Sequence, residues 1–217
     1  RIPTFIQEQN AVLGRVNRFF QRFSAKVFCH FSNTLFLDPK IGLNTGNPVR
    51  NKVLKKFNSQ YLGPGPWPIT VLVLGGSQGA RLLSDALPKC IEKLSKKTKE
   101  RLTIFHQARK DDTDKVIAAY RAMDLRACVR PFFEDVERLM SESQIIICRA
   151  GSSTLADISI VGRPAILIPL QHAKDDHQLR NARIFAEEGG AMVIEETPSL
   201  VEDLSEKLKL ILNSPSK

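Results

Sequence analysis

The sequence predicts an α/β protein: a doubly wound parallel sheet with helices on both faces, preceded by part of a second βα unit. Three observations carry this. The run Ile69 to Leu74 (ITVLVL) is continuously apolar and β-branched, as suits a parallel strand covered on both faces. A glycine-rich turn follows at once, and strand-like and helix-like stretches alternate from there to the end. Upstream, Gly63-Pro64-Gly65-Pro66-Trp67-Pro68 forms a stiff segment incompatible with helix, and the texture before it differs.

Taken in order, a strand stub is expected at Ile2 to Ile6, a helix from Ala11 to about Phe23 and a strand at Lys26 to Phe31. These read as the tail of a first domain, residues 1–50, joined by a linker, 51–68, to a second domain, 69–217. The helix carries Val12, Leu13, Val16, Phe19, Phe20 and Phe23, with Arg15, Arg18 and Arg22 between them. A core-facing helix is expected; a basic amphipathic helix lying on a membrane is the alternative. Beyond the turn a helix runs through Leu82, Leu83, Ala86 and Leu87. Then come strand Leu102 to Phe105, helix Asp114 to Ala122, strand Ala127 to Arg130 and helix Val136 to Ser141. Strand Ile145 to Cys148, helix Ser153 to Val161, strand Ala165 to Ile168, helix Asp176 to Glu188, strand Met192 to Ile194 and helix Leu200 to Leu212 complete the alternation.

Composition sets outer limits. The chain has 217 residues, 42% hydrophobic and 25% charged, enough for a substantial core and unlike a disordered chain. Cys29, Cys90, Cys128 and Cys148 fall singly in or beside apolar stretches, which suits buried thiols in a reducing compartment better than zinc or disulfides. No apolar run approaches the ~18 residues of a membrane span, and no signal peptide is visible, so a cytosolic chain is expected. It begins with Arg1, at what reads as a strand end, so upstream sequence is expected. The formal charge of +9 suits nucleic acid, an anionic membrane or a phosphate-rich substrate. Lys and Arg are scattered and no nucleic-acid motif occurs, which argues against the first.

The strongest site signal is the strand end followed by Gly75-Gly76-Ser77-Gln78-Gly79-Ala80-Arg81. Glycines there let a ligand approach the backbone, the first-turn amides and helix dipole favour an anion, and Ser77 adds a hydroxyl. The spacing is neither a P-loop nor GxGxxG, and no Lys follows, which favours a diphosphate held mainly by backbone amides. A tight turn without a ligand explains the same glycines. The second signal is Cys148-Arg149-Ala150-Gly151-Ser152-Ser153-Thr154-Leu155-Ala156-Asp157. Ser152 or Ser153 is expected to cap a helix, and Asp157 could accept bonds from two ribose hydroxyls or simply favour a helix N-terminus. The third is the polar stretch Gln171 to Asn181, in which Gln178 and Asn181 share a helix face from which both amides could reach a sugar. His172, His177, Asp175 and Asp176 raise a metal only if they converge, and no metal is expected. Arg50 is a candidate phosphate ligand through its planar guanidinium, and an ordinary surface charge otherwise.

Together these segments resemble the MurG family, the UDP-N-acetylglucosamine:lipid-linked muramoyl-pentapeptide transferases of bacterial peptidoglycan synthesis. The resemblance runs through Gln7-Glu8-Gln9-Asn10, Gly46-Asn47-Pro48-Val49-Arg50, the Gly75 to Gly79 turn, Arg149 to Thr154 and His172 to Asn181. It implies the GT-B architecture, two Rossmann-like domains facing a cleft, with the nucleotide sugar held by the second. It implies transfer of GlcNAc from UDP-GlcNAc to lipid I, giving lipid II, with inversion, without metal or cofactor, at the inner face of the cell membrane. By motif, Gly76, Ser77, Gln78 and Arg50 would meet the diphosphate, the Phe133 backbone the uracil, Ser152 and Ser153 the nucleotide, and Asp157 the ribose. Gln178 and Asn181 would bind the sugar with Asn10 beside it, and Glu8 is the one candidate general base in the chain. The sequence departs from the family where Asp157 replaces a usual Glu and Gln7 a usual His, and where the N-terminal Gly-rich loop and the last helical segment are absent. Another GT-B enzyme, whether a sugar transferase or a UDP-GlcNAc epimerase, and a donor-binding module inactive by itself stay open as alternatives.

Overall fold

The computed structural model describes residues 2–76, 81–171 and 173–213. In chain order the first part holds β1 (Phe5–Glu8), α1 (Arg15–Phe20), β2 (Lys26–Cys29), β3 (Gly42–Asn44) and α2 (Asn51–Leu54). The second part holds β4 (Ile69–Leu74), α3 (Arg81–Glu92), α4 (Lys96–Lys99), β5 (Leu102–Gln107), α5 (Thr113–Ala122), β6 (Arg126–Arg130) and α6 (Val136–Glu142). It ends with β7 (Ile145–Cys148), α7 (Ser152–Val161), β8 (Ala165–Leu167), α8 (His177–Glu187), β9 (Ala191–Val193) and α9 (Leu200–Asn213).

The second part is one six-stranded parallel sheet in the order β6-β5-β4-β7-β8-β9. All strands run the same way, but the order in which they are added reverses at β4, first toward β5 and β6 and then toward β7, β8 and β9, so the crevice where doubly wound sheets take ligands opens between β4 and β7. The two faces of β4 explain its unbroken apolar run. Ile69, Val71 and Val73 point to the side covered by α3, α5 and α9, where they meet Leu83, Leu87, Tyr120 and Leu204. Leu72 and Leu74 point to the other side, with Leu139, Leu155 and Ile158 of α6 and α7. Each fully buried Val, Leu or Ile of this kind contributes about 1.5–3 kcal/mol.

The first part is a three-stranded parallel sheet, β1-β2-β3. Here the structure departs from the sequence expectation: the helix begins at Arg15, not Ala11, and a single 3₁₀ turn (Gln21–Phe23) closes it. The cause is that the preceding backbone groups are already committed. Ala11 O accepts from Leu35 N at 2.9 Å, Leu13 N donates to Leu35 O at 3.0 Å, and Gly14 N donates to a Glu8 oxygen at 2.8 Å. The helix is not core-facing either. It has no buried residue, and Phe19, Phe20 and Phe23 are exposed and pack on one another.

Between the parts, residues 51–68 are not a bare linker. α2 lies against α7, with Val53 fully buried in the core on that face. The following stretch is fixed by Arg163, which is itself buried after the left-handed C-cap Gly162 of α7. Its guanidinium donates to Gln60 O at 2.9 Å, Ser59 Oγ at 3.2 Å, Ser141 O at 2.6 Å and Val161 O at 2.8 Å, and it lies over the Tyr61 ring. Burial pushes the Arg163 guanidinium's pKa down. Tyr61 Oη adds a bond to Gln144 O at 3.1 Å.

Candidate functional site

At the reversal point, β4 ends at Leu74 and Gly76 takes φ +78, a conformation that favours glycine. Ser77 and Gln78, the residues expected at the diphosphate, lie outside the described residues. A cavity of about 190 Å³ opens beside Gly76, lined by Arg50, Gln107, Phe133, Thr154 and Asp157. These come from the segment before α2, the carboxyl end of β5, the loop after β6, and α7. Leu74, Val136 and Met140 add an apolar wall. The Phe133 side chain is buried edge-on against Phe105, with centroids 6.2 Å apart, so packing fixes the backbone of that loop at the cavity wall.

Within the cavity Arg50 Nη2 donates to Asp157 Oδ2 at 3.0 Å. Burial pushes the Asp157 carboxyl up, the Arg50 hydrogen bond and charge pull it down, and the Glu137 charge raises it. Thus four residues far apart in sequence, Arg50, Gly76, Phe133 and Asp157, meet in one cavity. Gln107, which spacing did not single out, joins them; its Nε2 donates to Pro131 O at 3.2 Å and props the loop that carries Phe133. The only sequence signal for it is its place at the end of a strand.

Helix α7 starts at Ser152, and Gly151 is its N-cap, with no side-chain capping bond. The expectation that Ser152 or Ser153 caps the helix is therefore corrected: both sit inside the first turn, Ser152 buried and Ser153 exposed. Arg149, just before, donates to Ile168 O at 3.1 Å and Pro169 O at 3.3 Å and pairs with Glu196. It binds together the carboxyl ends of β7 and β8 and the segment after β9, a positioning role that its spacing did not reveal.

The third polar segment divides. Gln178 Oε1 accepts from Leu170 N at 3.0 Å, at the surface. Asn181 is 0% exposed. Its Nδ2 donates to Asn10 Oδ1 at 3.1 Å and Ala150 O at 3.2 Å, and its Oδ1 accepts from Ala11 N at 2.8 Å. Helical spacing puts Gln178 and Asn181 three apart, yet both Asn181 amide hydrogens are taken by protein acceptors, so in this arrangement it joins the two parts of the chain. Asp175 and Asp176 have φ of +56° and +51°, a strained left-handed pair that short polar side chains tolerate. Asp175 pairs with Arg15 at 3.2 Å. His172 lies outside the described residues, among which no three His, Cys, Asp or Glu side chains gather as metal ligands would.

Glu8, the one candidate base in the chain, holds a local turn together. It is 2% exposed and accepts from Asn10 N, Asn10 Nδ2, Gly14 N and Asn17 Nδ2 at 2.8–3.3 Å. With these four donors the carboxylate organises the turn from β1 into α1.

Among the described residues no helix is long and apolar enough to cross a membrane. Residues 70–217 match the glycosyltransferase family 28 C-terminal domain. The chain is 42% identical over 218 aligned positions to a protein of Caulobacter vibrioides named UDP-N-acetylglucosamine--N-acetylmuramyl-(pentapeptide) pyrophosphoryl-undecaprenol N-acetylglucosamine transferase, covering 99% of this chain and 60% of that one. A protein of the same name from Phenylobacterium zucineum is 38% identical, with 100% and 60% covered. The crystal structure of MurG from Acinetobacter baumannii superposes with a TM-score of 0.80 at 32% identity, over 98% of this chain and 59% of that one. The chain spans about 60% of the length of these curated relatives. The sheet order, the cavity at its reversal point and the match over residues 70–217 lead to one conclusion: the chain belongs to glycosyltransferase family 28 and carries its C-terminal domain.

Proposed function

We propose that this chain is the donor-binding part of an enzyme that transfers GlcNAc from UDP-GlcNAc to lipid I, forming lipid II in peptidoglycan synthesis. The single observation that supports it most is the meeting of Arg50, Gly76, Phe133 and Asp157 in one cavity at the sheet's reversal point. Asp157 takes the ribose, the Phe133 backbone the uracil, and Arg50 with the turn at Gly76, Ser77 and Gln78 the diphosphate. The named relatives support the same donor and acceptor.

In this reading the anomeric carbon is displaced directly, with inversion, and negative charge builds on departing UDP. Preorganised dipoles at the start of α7, around Ser152 and Ser153, and the Arg50 guanidinium stabilise that charge without a metal or cofactor. Gln178 is assigned to the sugar's hydroxyls. Asn181 and Asn10, bonded to each other and, through Asn181, to the Ala150 carbonyl just before α7, serve the sugar side of the site. With Glu8 enclosed, acceptor activation is assigned to the part of the relatives' length that this chain does not span. Residues 1–50 then form the acceptor-side domain's end, 51–68 the connection and 69–217 the donor domain. Lipid I places the working enzyme at the cytoplasmic face of the cell membrane, with no nucleic acid involved.

The test is calorimetric titration with UDP-GlcNAc, UDP-glucose and UDP-GalNAc. UDP-GlcNAc is expected to bind at least about tenfold tighter, as a site that hydrogen-bonds a specific substituent discriminates against analogues lacking it. Equal binding of UDP-glucose would point instead to another enzyme of the same fold. Efficient lipid II formation by this chain alone would refute the division of labour between the two parts.

A further inference from the structure

We propose that the Arg50–Asp157 ion pair is an exchange latch: ribose hydroxyls take over the Asp157 carboxylate and release the Arg50 guanidinium to the diphosphate. Nucleoside and diphosphate are then recognised together, and neither half of the ligand is held well alone. The inference rests on the reading of the cavity as the nucleotide pocket.

The geometry sets up a competition. Arg50 Nη2 sits 3.0 Å from Asp157 Oδ2, and both residues line the same cavity of about 190 Å³. A vicinal diol binds a carboxylate best across both of its oxygens, and one of these already accepts from the guanidinium, which stands on the side the diol would approach. The partners differ in freedom. Asp157 projects from the second turn of α7 with its side chain 13% exposed, whereas the Arg50 side chain is 60% exposed on a long stem just before α2. Ligand entry therefore moves Arg50 and leaves Asp157 in place.

Relative strengths favour the exchange only for a complete ligand. An ion pair with one solvent-exposed partner holds by about fivefold at most. Charge-assisted bonds from a guanidinium to a diphosphate are stronger and bidentate, so they more than offset that loss. A nucleoside without phosphate must break the pair and gives Arg50 nothing in return. Pyrophosphate without ribose must draw Arg50 away and leaves Asp157 in a desolvated wall with no partner. The pair thus turns two moderate subsites into one that rewards the intact nucleoside diphosphate.

Equilibrium titration of the unaltered chain, Arg50→Ala and Asp157→Asn with uridine, inorganic pyrophosphate and UDP tests this. Arg50→Ala should bind uridine about two- to fivefold tighter, because the competitor is gone, and UDP at least about tenfold weaker. Asp157→Asn should bind pyrophosphate about two- to fivefold tighter for the mirror reason. Uridine binding that is unchanged or weaker in Arg50→Ala, while UDP still binds the unaltered chain, overturns the latch and leaves the nucleotide pocket standing. Failure of UDP to bind the unaltered chain removes the pocket reading and the latch with it. Circular dichroism establishes that each variant is folded, and since the two variants probe the pair from opposite sides, misfolding of one leaves the other to decide.

Discussion

Asn181 and Asn10 lie 171 residues apart in sequence and face each other at 3.1 Å, amide nitrogen to amide oxygen. With Ala11 N and Ala150 O as further partners, this fully buried amide is the polar seam between the β1 segment and the sheet.

Replacing it exposes that role. Asn181→Ala leaves Ala11 N and Ala150 O without a side-chain partner in the interior, at about 1–3 kcal/mol for each buried group stranded. Urea unfolding should show a loss of about 2–6 kcal/mol. Hydrogen exchange at the Ala11 amide should accelerate well beyond that of β4. Equal acceleration throughout the chain would mean that Asn181 does not act locally.

Arg163→Lys tests the clamp on the connecting segment. A lysine has the charge but not the planar fork that reaches Ser59, Gln60, Ser141 and Val161 together. We expect about 2–3 kcal/mol of destabilisation. Trypsin should also cut faster after Lys55 and Lys56, and an unchanged digestion pattern would contradict this.

Acid should weaken the second part of the chain through one histidine. His106 is fully buried, its Nδ1 is 2.8 Å from Tyr120 Oη, and burial pushes its pKa down to about 4. The unfolded chain takes up a proton near pH 6.5 while the folded one does not, so the unfolded state binds more protons between the two values. The stabilisation is complete above pH 6.5 and is lost as pH falls toward 4, about 3 kcal/mol in all. The double variant His106→Leu, Tyr120→Phe should flatten the unfolding free energy across that window. If the slope stays, other groups carry it.

Metal removal should change nothing at the donor site. UDP affinity measured in excess chelator should equal that in millimolar magnesium, and on the proposed ribose role of Asp157 the Asp157→Ala variant should lower it about tenfold or more under both conditions, since bonds to an ionised acceptor are charge-assisted. A large gain in affinity on adding magnesium would count against charge stabilisation by protein dipoles alone.

What the sequence could disclose followed from burial. Ile69–Leu74 and Ile145–Cys148 were legible residue for residue, because strands covered on both faces need unbroken apolar runs and end where the glycine-containing turns begin. Near the first helix the same rules misled. Apolar spacing continues unbroken from Ala11 to Phe23, but only hydrogen bonds to Leu35, Glu8 and Asn181 reveal that residues 11–14 are held extended. At the site, spacing predicted the face on which Asn181 stands and not its depth. Arg163, between Gly162 and Pro164, belongs to no motif; its partners come from three separate stretches of chain that only the fold brings together.

The Arg163 clamp also fixes where the molecule can bend. Ser59 and Gln60 are tied to Arg163 just after α7, α2 is seated on α7 by Val53, and Val49 packs on the same core, so everything from Val49 onward travels with the second part. On the other side, Thr45 N is bonded to Cys29 O and moves with β2. The pivot on this connection is thus reduced to Gly46, Asn47 and Pro48, with Gly46 at φ +73 and open space around it. Swinging the two parts apart would leave Arg50 where it is, beside Asp157: the arginine belongs mechanically to the cavity it lines.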